Sequence, residues 1–139
     1  MQLLCDIPSG TEVLVHICCA PDASHGVRAL RERFDVTGFF YNPNIDPREE
    51  IRKRLRAILD LREKDPFSLV VGARGEEAWE DAARGMEGEP ERGRRCEACV
   101  RLRLRETARK AAELGMPAFG TVLTVSPKKD AAMVNRVGR

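Results

Sequence analysis

The sequence has no glycine-rich phosphate-binding motif, since neither a Gly-x-Gly-x-x-Gly fingerprint nor a Walker loop occurs in it. It also lacks any run of about eighteen apolar residues, and its first residues have neither the basic start nor the apolar core of a signal peptide. These absences leave a nucleotide site, a membrane span and secretion without support. We therefore expect a cytoplasmic protein that has no membrane partner.

Cysteine is not abundant, and its spacing is poor for a disulfide framework. Four of the five cysteines form two close pairs, Cys18 with Cys19 and Cys96 with Cys99, while Cys5 stands apart as an incidental thiol. A chain of 139 residues buries enough apolar surface to fold without disulfides. Paired thiols in such a chain indicate metal or redox chemistry in a reducing compartment.

Short apolar runs alternate with helical patterns along the chain, which is typical of an α/β domain with a mainly parallel sheet flanked by helices. We expect residues 1–11 to form an N-terminal arm and residues 12–139 to form the α/β metal-binding domain. The predicted strands are residues 13–17, 35–41, 67–71 and 118–124. The predicted helices are residues 24–33, 47–64, 76–84, 94–114 and 128–137.

Polar and thiol side chains follow several of these strands. In open parallel sheets, binding sites are built from the loops at the carboxyl ends of the strands. Cys18, Cys19 and Asp22 follow the first predicted strand, residues 42–44 follow the second, and residues 124–127 follow the fourth. The pattern therefore predicts a site at this edge of the sheet.

Thiolates are strong ligands for soft and borderline metals, and two of them at Cys-x-x-Cys spacing share one helix face. Cys96 and Cys99 have that spacing at the start of the helix predicted for residues 94–114. Adjacent cysteines in extended backbone point to opposite sides, so Cys18 and Cys19 need either a tight loop or two neighbouring metals. Four thiolates suit zinc or an iron-sulfur cluster.

Asp22 separates the alternatives for this cysteine group. Its oxygen adds little to a structural zinc site or a thiol-disulfide redox protein, whereas it makes sense as a ligand to an extra, substrate-facing iron. A non-catalytic zinc- or cluster-stabilised module and a thiol-disulfide redox protein remain the alternatives. His16 lies inside an apolar strand, which favours a hydrogen-bonded core histidine over a ligand.

Charge is distributed unevenly although the formal net charge is only +2. Acidic residues dominate residues 72–91, and arginines dominate residues 92–110 around the second cysteine pair. A basic surface beside a reactive centre suits a phosphate-bearing partner. A solvated arginine-rich helix face explains the same charges equally well.

Four ordered motifs resemble those of one known family. They are residues 16–22 (HICCAPD), 39–45 (FFYNPNI), 96–108 (CEACVRLRLRETA) and 121–129 (TVLTVSPKK). In this order they are similar to the QueH-type epoxyqueuosine reductases. The resemblance implies a Rossmann-like fold akin to nucleotide α-hydrolase domains. It also implies an oxidoreductase that removes the epoxide oxygen of epoxyqueuosine in tRNA, giving queuosine.

The resemblance further implies the cofactors and the site. A 4Fe-4S cluster with an additional iron would be held by Cys18, Cys19, Cys96 and Cys99, and Asp22 would join at the additional iron. Cys18, Cys19 and Asp22 are the expected catalytic group, with zinc as the alternative metal. The implied partners are tRNA carrying epoxyqueuosine and an unidentified electron donor.

Five further motif residues are expected to contact substrate. They are Asn42, Asn44, Arg103, Ser126 and Lys129. Members of the family continue past the helix predicted for residues 128–137, so we expect a chain that is truncated at its C-terminus relative to them.

Overall fold

Strands and helices alternate along the chain, as the hydrophobic pattern predicts. The computed structural model describes residues 7–43, 45, 48–72, 75–86, 88 and 94–123. The strands are β1 (Glu12–Ile17), β2 (Asp35–Phe40), β3 (Ser68–Val71) and β4 (Ala118–Thr121). The helices are α1 (Ala20–Arg31), α2 (Arg48–Lys64), α3 (Glu76–Ala83) and α4 (Arg94–Glu113).

The four strands form one sheet in the order β3-β2-β1-β4, and every neighbouring pair is parallel. This confirms the predicted α/β class. Strands β2 and β3 follow one another outward from β1 on one side, and β4 pairs with the other side of β1. The strand order therefore reverses between β1 and β4, and in such sheets ligands bind in the crevice beyond the carboxyl ends of the strands at that reversal.

Both faces of β1 are buried. Its residues Val13, Val15 and Ile17 pack with α1 and α2, and its other face packs with α4 through Leu14. Cys18, directly after β1, continues this second face and packs with residues of α4. A strand covered on both faces has a continuous apolar sequence, which is why the pattern at residues 13–17 is so clear.

The structure corrects one helix boundary near the site. Helix α1 begins at Ala20 rather than near Ser24, because Cys19 is its N-cap and Pro21 lies in its first positions. Proline suits the first helical turn, where its missing N–H has no intrahelical acceptor to bond. Asp22 therefore lies in the first turn of α1 rather than in a loop.

The structure describes part of each end of the chain. Within residues 7–11 of the expected arm, Ile7 is buried in the core beside α1 and β2. Strand β4 ends at Thr121, shorter than predicted. The helix predicted for residues 128–137 lies outside the described residues.

No helix in the described ranges combines the length and apolar character needed to cross a membrane.

Candidate metal centre

Cys18, Cys19 and Asp22 converge just beyond the carboxyl end of β1. Their potential ligand atoms all lie within 4.8 Å of one another. The Cys18 Sγ is 4.0 Å from the Cys19 Sγ and 4.0 Å from Oδ2 of Asp22. This is the strand-order reversal between β1 and β4, so the sheet places these groups where a parallel α/β fold builds its binding sites.

The junction of β1 and α1 explains how two adjacent cysteines reach the same centre. Cys18 extends the face of β1 that packs on α4. Cys19 keeps an extended backbone, with φ −155° and ψ 160°, as the N-cap of α1. The helix turns directly after it, which brings Asp22 back towards Cys18. The junction of strand and helix therefore brings both sulfur atoms and the carboxylate close together, and the choice between one metal and two stays a prediction.

The thiols of this group are crowded and partly buried. Cys18 is 6% exposed, and Cys19 and Asp22 are half-buried. The pKa of Cys19 is raised above its usual value, first by its side-chain hydrogen bond with Cys18 and then by burial, while a backbone hydrogen bond of Asp22 acts in the opposite direction. Neighbouring acidic groups that disfavour each other's ionisation become compatible when a cation binds between them.

The second cysteine pair lies on the first turns of α4. Cys96 packs against the apolar cluster formed by Cys18, Val100, Leu104 and Leu123, so it lies beside the first pair. Cys99 is 6% exposed. Among the described residues, the group with ligand atoms in mutual reach contains Cys18, Cys19 and Asp22 but not Cys96 or Cys99. Ligation by all four cysteines therefore stays a prediction.

Two of the residues expected to contact substrate are buried and hydrogen-bonded to the backbone of the cysteine-bearing segments. Asn42 is 5% exposed and Arg103 is 3% exposed. Asn42 donates from Nδ2 to the Ile17 carbonyl at 3.0 Å, and Arg103 donates to the Asn42 Oδ1 at 3.4 Å. Their substrate contact stays a prediction. Asn44, Ser126 and Lys129 lie outside the described residues.

His16 is a core histidine, as its apolar surroundings predict. It is fully buried, and its Nε2 lies 2.8 Å from the Tyr41 carbonyl oxygen while Nδ1 lies 3.2 Å from Oγ1 of Thr121. The Thr121 oxygen also accepts a hydrogen bond from the Leu123 N–H. His16 thus ties the carboxyl end of β1 to the ends of β2 and β4.

The donor set fits a metal ion. Two thiols and a carboxylate are ligands that iron and zinc both accept, and three protein ligands leave positions open for a further ligand. The crowding of these acidic groups at one point is compatible with metal binding. Among the described residues this group supplies three ligands, one fewer than a closed structural zinc site holds.

A basic cavity lies between α3 and α4, on the helix that carries the second cysteine pair. Its volume is about 520 Å³. The lining residues are Ala82, Met86, Arg94, Glu97, Ala98, Arg101, Leu102 and Arg105. Three arginines against one glutamate give this groove a positive balance, although Arg101 donates to Glu97 at 3.1 Å. Sequence reasoning located the basic block but not the groove.

Comparison with known proteins identifies the family. A family model described as "Epoxyqueuosine reductase QueH" matches residues 13–139. The chain belongs to the QueH family. The epoxyqueuosine reductase QueH of Histophilus somni is 36% identical over 135 residues, covering 96% of this chain and 56% of that protein. The one of Streptococcus pyogenes is 36% identical over 134 residues, covering 91% and 52%.

The QueH protein of Thermotoga maritima is 34% identical over 130 residues, covering 91% of this chain and 66% of that protein. The resemblance carried by the four motifs is thus confirmed at the level of the family. The chain spans about half the length of most of the curated QueH relatives that it matches.

Proposed function

We propose that this chain carries the metal centre of an epoxyqueuosine reductase, which removes the epoxide oxygen of epoxyqueuosine in tRNA to give queuosine. The observation that carries the proposal is the group of Cys18, Cys19 and Asp22 at the strand-order reversal of a chain that belongs to the QueH family. Two thiols and a carboxylate at this position suit a reactive metal better than a closed structural site.

The residues have distinct roles in the proposed reaction. Cys18, Cys19, Cys96 and Cys99 would hold a 4Fe-4S cluster and an additional iron, with Asp22 at the additional iron. When bound, this group supplies electrons and a Lewis acid for the epoxide oxygen. The protein's own part is to hold the thiols by the packing of Cys18 and Cys96 against Leu104 and Leu123, which also keeps water from one side of the centre.

The groove between α3 and α4 supports tRNA as the partner. Arg94, Arg101 and Arg105 line this groove within about three turns of α4, and arginine side chains neutralise the phosphates of a nucleic acid. The strand would then run past the helix turn that carries Cys96. The electron donor stays unidentified, and a cytoplasmic location agrees with a tRNA substrate.

The test is anaerobic reconstitution of the chain with iron and sulfide, followed by incubation with tRNA carrying epoxyqueuosine and a chemical reductant. We expect bound iron and sulfide, and conversion of the modified nucleoside measured by mass spectrometry after digestion. A Cys18→Ser/Cys19→Ser variant is the control, and it should convert none. A chain that binds iron but leaves the epoxide intact contradicts the enzymatic proposal.

Zinc is the second candidate occupant, because the same two thiols and carboxylate are ordinary zinc ligands. In that case the chain is a zinc-stabilised module without redox chemistry. Metal analysis of the anaerobically purified protein separates the two: tightly held zinc without visible absorption favours the module, and iron with sulfide favours the reductase.

A further inference from the structure

Arg103 is a buried cation in the middle of α4. Its side chain donates from Nε to the Cys99 carbonyl and from Nη1 to Oδ1 of Asn42, both at 3.4 Å. Both acceptors are neutral, and among the described residues no carboxylate forms an ion pair with Arg103. Arginine stays charged in any protein environment. When all hydrogen-bond acceptors of a buried arginine are neutral, its charge is not compensated by them. This indicates that a negatively charged group lies nearby in the functional protein.

Asn42 completes a connection between the two cysteine-bearing segments. Its Nδ2 donates to the carbonyl of Ile17, the residue directly before Cys18, at 3.0 Å. Its Oδ1 accepts from Arg103, which also holds the Cys99 carbonyl. A continuous path of hydrogen bonds therefore runs from the end of β1 to the second cysteine pair. The hydroxyl of Thr107 donates to the Arg103 carbonyl at 2.7 Å, which ties the same turn of α4 once more.

The chemistry of the proposed centre supplies the missing negative charge. An iron-sulfur cluster with thiolate ligands is a net anion, because its thiolates and sulfides outweigh the charge of the iron. A fixed positive charge beside it stabilises the bound cluster, and it stabilises the reduced state most because that state is more negative. The Arg103 guanidinium donates to the Cys99 carbonyl, so this fixed positive charge lies close to one of the proposed cluster ligands.

We propose that Asn42 and Arg103 are positioning residues of the metal centre, and that the buried Arg103 guanidinium is the counter-charge of an anionic metal-thiolate cluster. The pair holds the Cys18 segment against the Cys99 turn of α4, and Arg103 raises the reduction potential of the cluster. This inference rests on the proposed function, because it requires an iron-sulfur group held by the cysteines.

The charge is tested in the full chain after anaerobic reconstitution with iron and sulfide. Arg103→Met keeps most of the side-chain length without the charge, and Arg103→Lys keeps a charge. The matched control is Arg56→Met, which removes an exposed arginine of α2 on the other side of the sheet. We expect a lower midpoint potential and less iron retained in Arg103→Met, recovery of most of the potential in Arg103→Lys, and the wild-type values in Arg56→Met.

The linkage is tested in the metal-free chain by amide hydrogen exchange. Arg103→Met and Asn42→Ala should each speed exchange around Cys18 and Cys99 by about tenfold or more, the size expected for losing a buried hydrogen bond. Arg56→Met should leave it unchanged. Should Arg103→Met fail to fold, Arg103→Lys and Asn42→Ala are compared in the same way, since both keep a cation at position 103.

The outcomes separate this inference from the proposed function. A wild-type chain that takes up no iron overturns the proposed function and the counter-charge with it, and the exchange rates then decide the linkage. A wild-type chain with a cluster whose potential is unaffected by Arg103→Met overturns the counter-charge alone. Exchange rates in Asn42→Ala and Arg103→Met that equal those of Arg56→Met overturn the linkage.

Discussion

At the scale of single residues, the chemistry of the site depends on how closely unlike donors are placed. Asp22 contributes the only carboxylate of the ligand group found among the described residues, and its Oδ2 lies 4.0 Å from the Cys18 Sγ. It also lies in the first turn of α1, where a negative charge interacts favourably with the helix dipole. The same carboxylate thus serves the helix and the proposed metal.

Replacing Asp22 by asparagine tests its role as a ligand. Asp22→Asn keeps the shape but removes the anionic oxygen, so we expect affinity for Zn²⁺ to fall about tenfold or more, measured by competition with a chromophoric chelator. The loss in folding stability should be small, about 0.3–1 kcal/mol, because the changed interactions are the helix dipole and the long 4.0 Å contact with the Cys18 thiol. Asp60→Asn on the exposed face of α2 is the control. Equal affinities in the two variants would exclude Asp22 as a ligand.

Tyr41 gives a pH-dependent signal that no other residue can supply, because it is the single tyrosine of the chain. Burial, followed by the charge of Glu106, raises its pKa above the usual value of 10.0. The folded protein then holds the phenolic proton more tightly than the unfolded chain does. This contribution to stability is complete below pH 10 and is lost as the pH rises above it.

We therefore expect tyrosinate absorbance of the folded protein to appear at a higher pH than in the urea-denatured chain. The unfolding free energy should fall as the pH rises above about 10, and Tyr41→Phe should reduce that fall. Spectrophotometric titration of native and denatured protein measures the first, and urea unfolding at several pH values measures the second. Coincident titration curves would show that Tyr41 is not desolvated in the fold.

At the scale of elements, the start of α3 packs closely against two aromatic side chains that follow each other on β2 and just after it. The rings of Phe39 and Tyr41 are stacked, with centroids 5.8 Å apart and planes 5° from parallel. Gly75, the N-cap of α3, has φ 70° and passes so close to this stack that a Cβ would lie 2.5 Å from the Tyr41 hydroxyl oxygen. Only glycine fits both the backbone conformation and the space.

Two glycine substitutions separate these requirements. In Gly75→Ala the new Cβ is placed on a left-handed backbone and also clashes with the Tyr41 ring. In Gly85→Ala the backbone is left-handed as well, with φ 80°, but the space around the new Cβ is open. The backbone strain is about 1–2 kcal/mol in each. The steric clash should destabilise Gly75→Ala by a further ~1–3 kcal/mol, measured by urea unfolding. Equal losses in the two variants would mean that Tyr41 moves aside without cost.

At the scale of the whole molecule, the sheet separates the groove and the cysteine pairs from the helices α1 and α2. The groove with Arg94, Arg101 and Arg105 lies between α3 and α4, and the cysteines of α4 are on that same side. Helices α1 and α2 cover the opposite face. A partner bound in this groove therefore lies on the same side of the sheet as the cysteines of α4, across the helix from Cys96.

Salt dependence of RNA binding tests this arrangement. We expect Arg101→Gln/Arg105→Gln to weaken tRNA binding and to reduce the slope of log K against log salt by roughly one for each phosphate that is no longer neutralised. The control, Arg52→Gln/Arg56→Gln, removes two exposed arginines of α2 on the other face. Filter binding or fluorescence anisotropy over a range of salt concentrations gives the slopes. Equal slopes in both double variants would place the RNA elsewhere.

The order of the elements, the parallel α/β class and the family could all be predicted from the sequence. Apolar periodicity and helix punctuation are local properties, so strands such as β1 and the helix α4 could be predicted within one or two residues. The positions of Cys18, Cys19 and Asp22 at the end of β1 follow from the same pattern, because the end of a parallel strand is where such a fold places its site.

Which polar residues are buried, and what they contact, became apparent in the folded chain alone. Arg103 and Asn42 are 61 residues apart, and no local period predicts that they bond to each other beneath the cysteines. The start of α1 at Ala20 depends on how β1 delivers the chain to its first turn. Contacts of this kind arise only when the elements pack, because burial and partner are properties of the whole fold rather than of a sequence window.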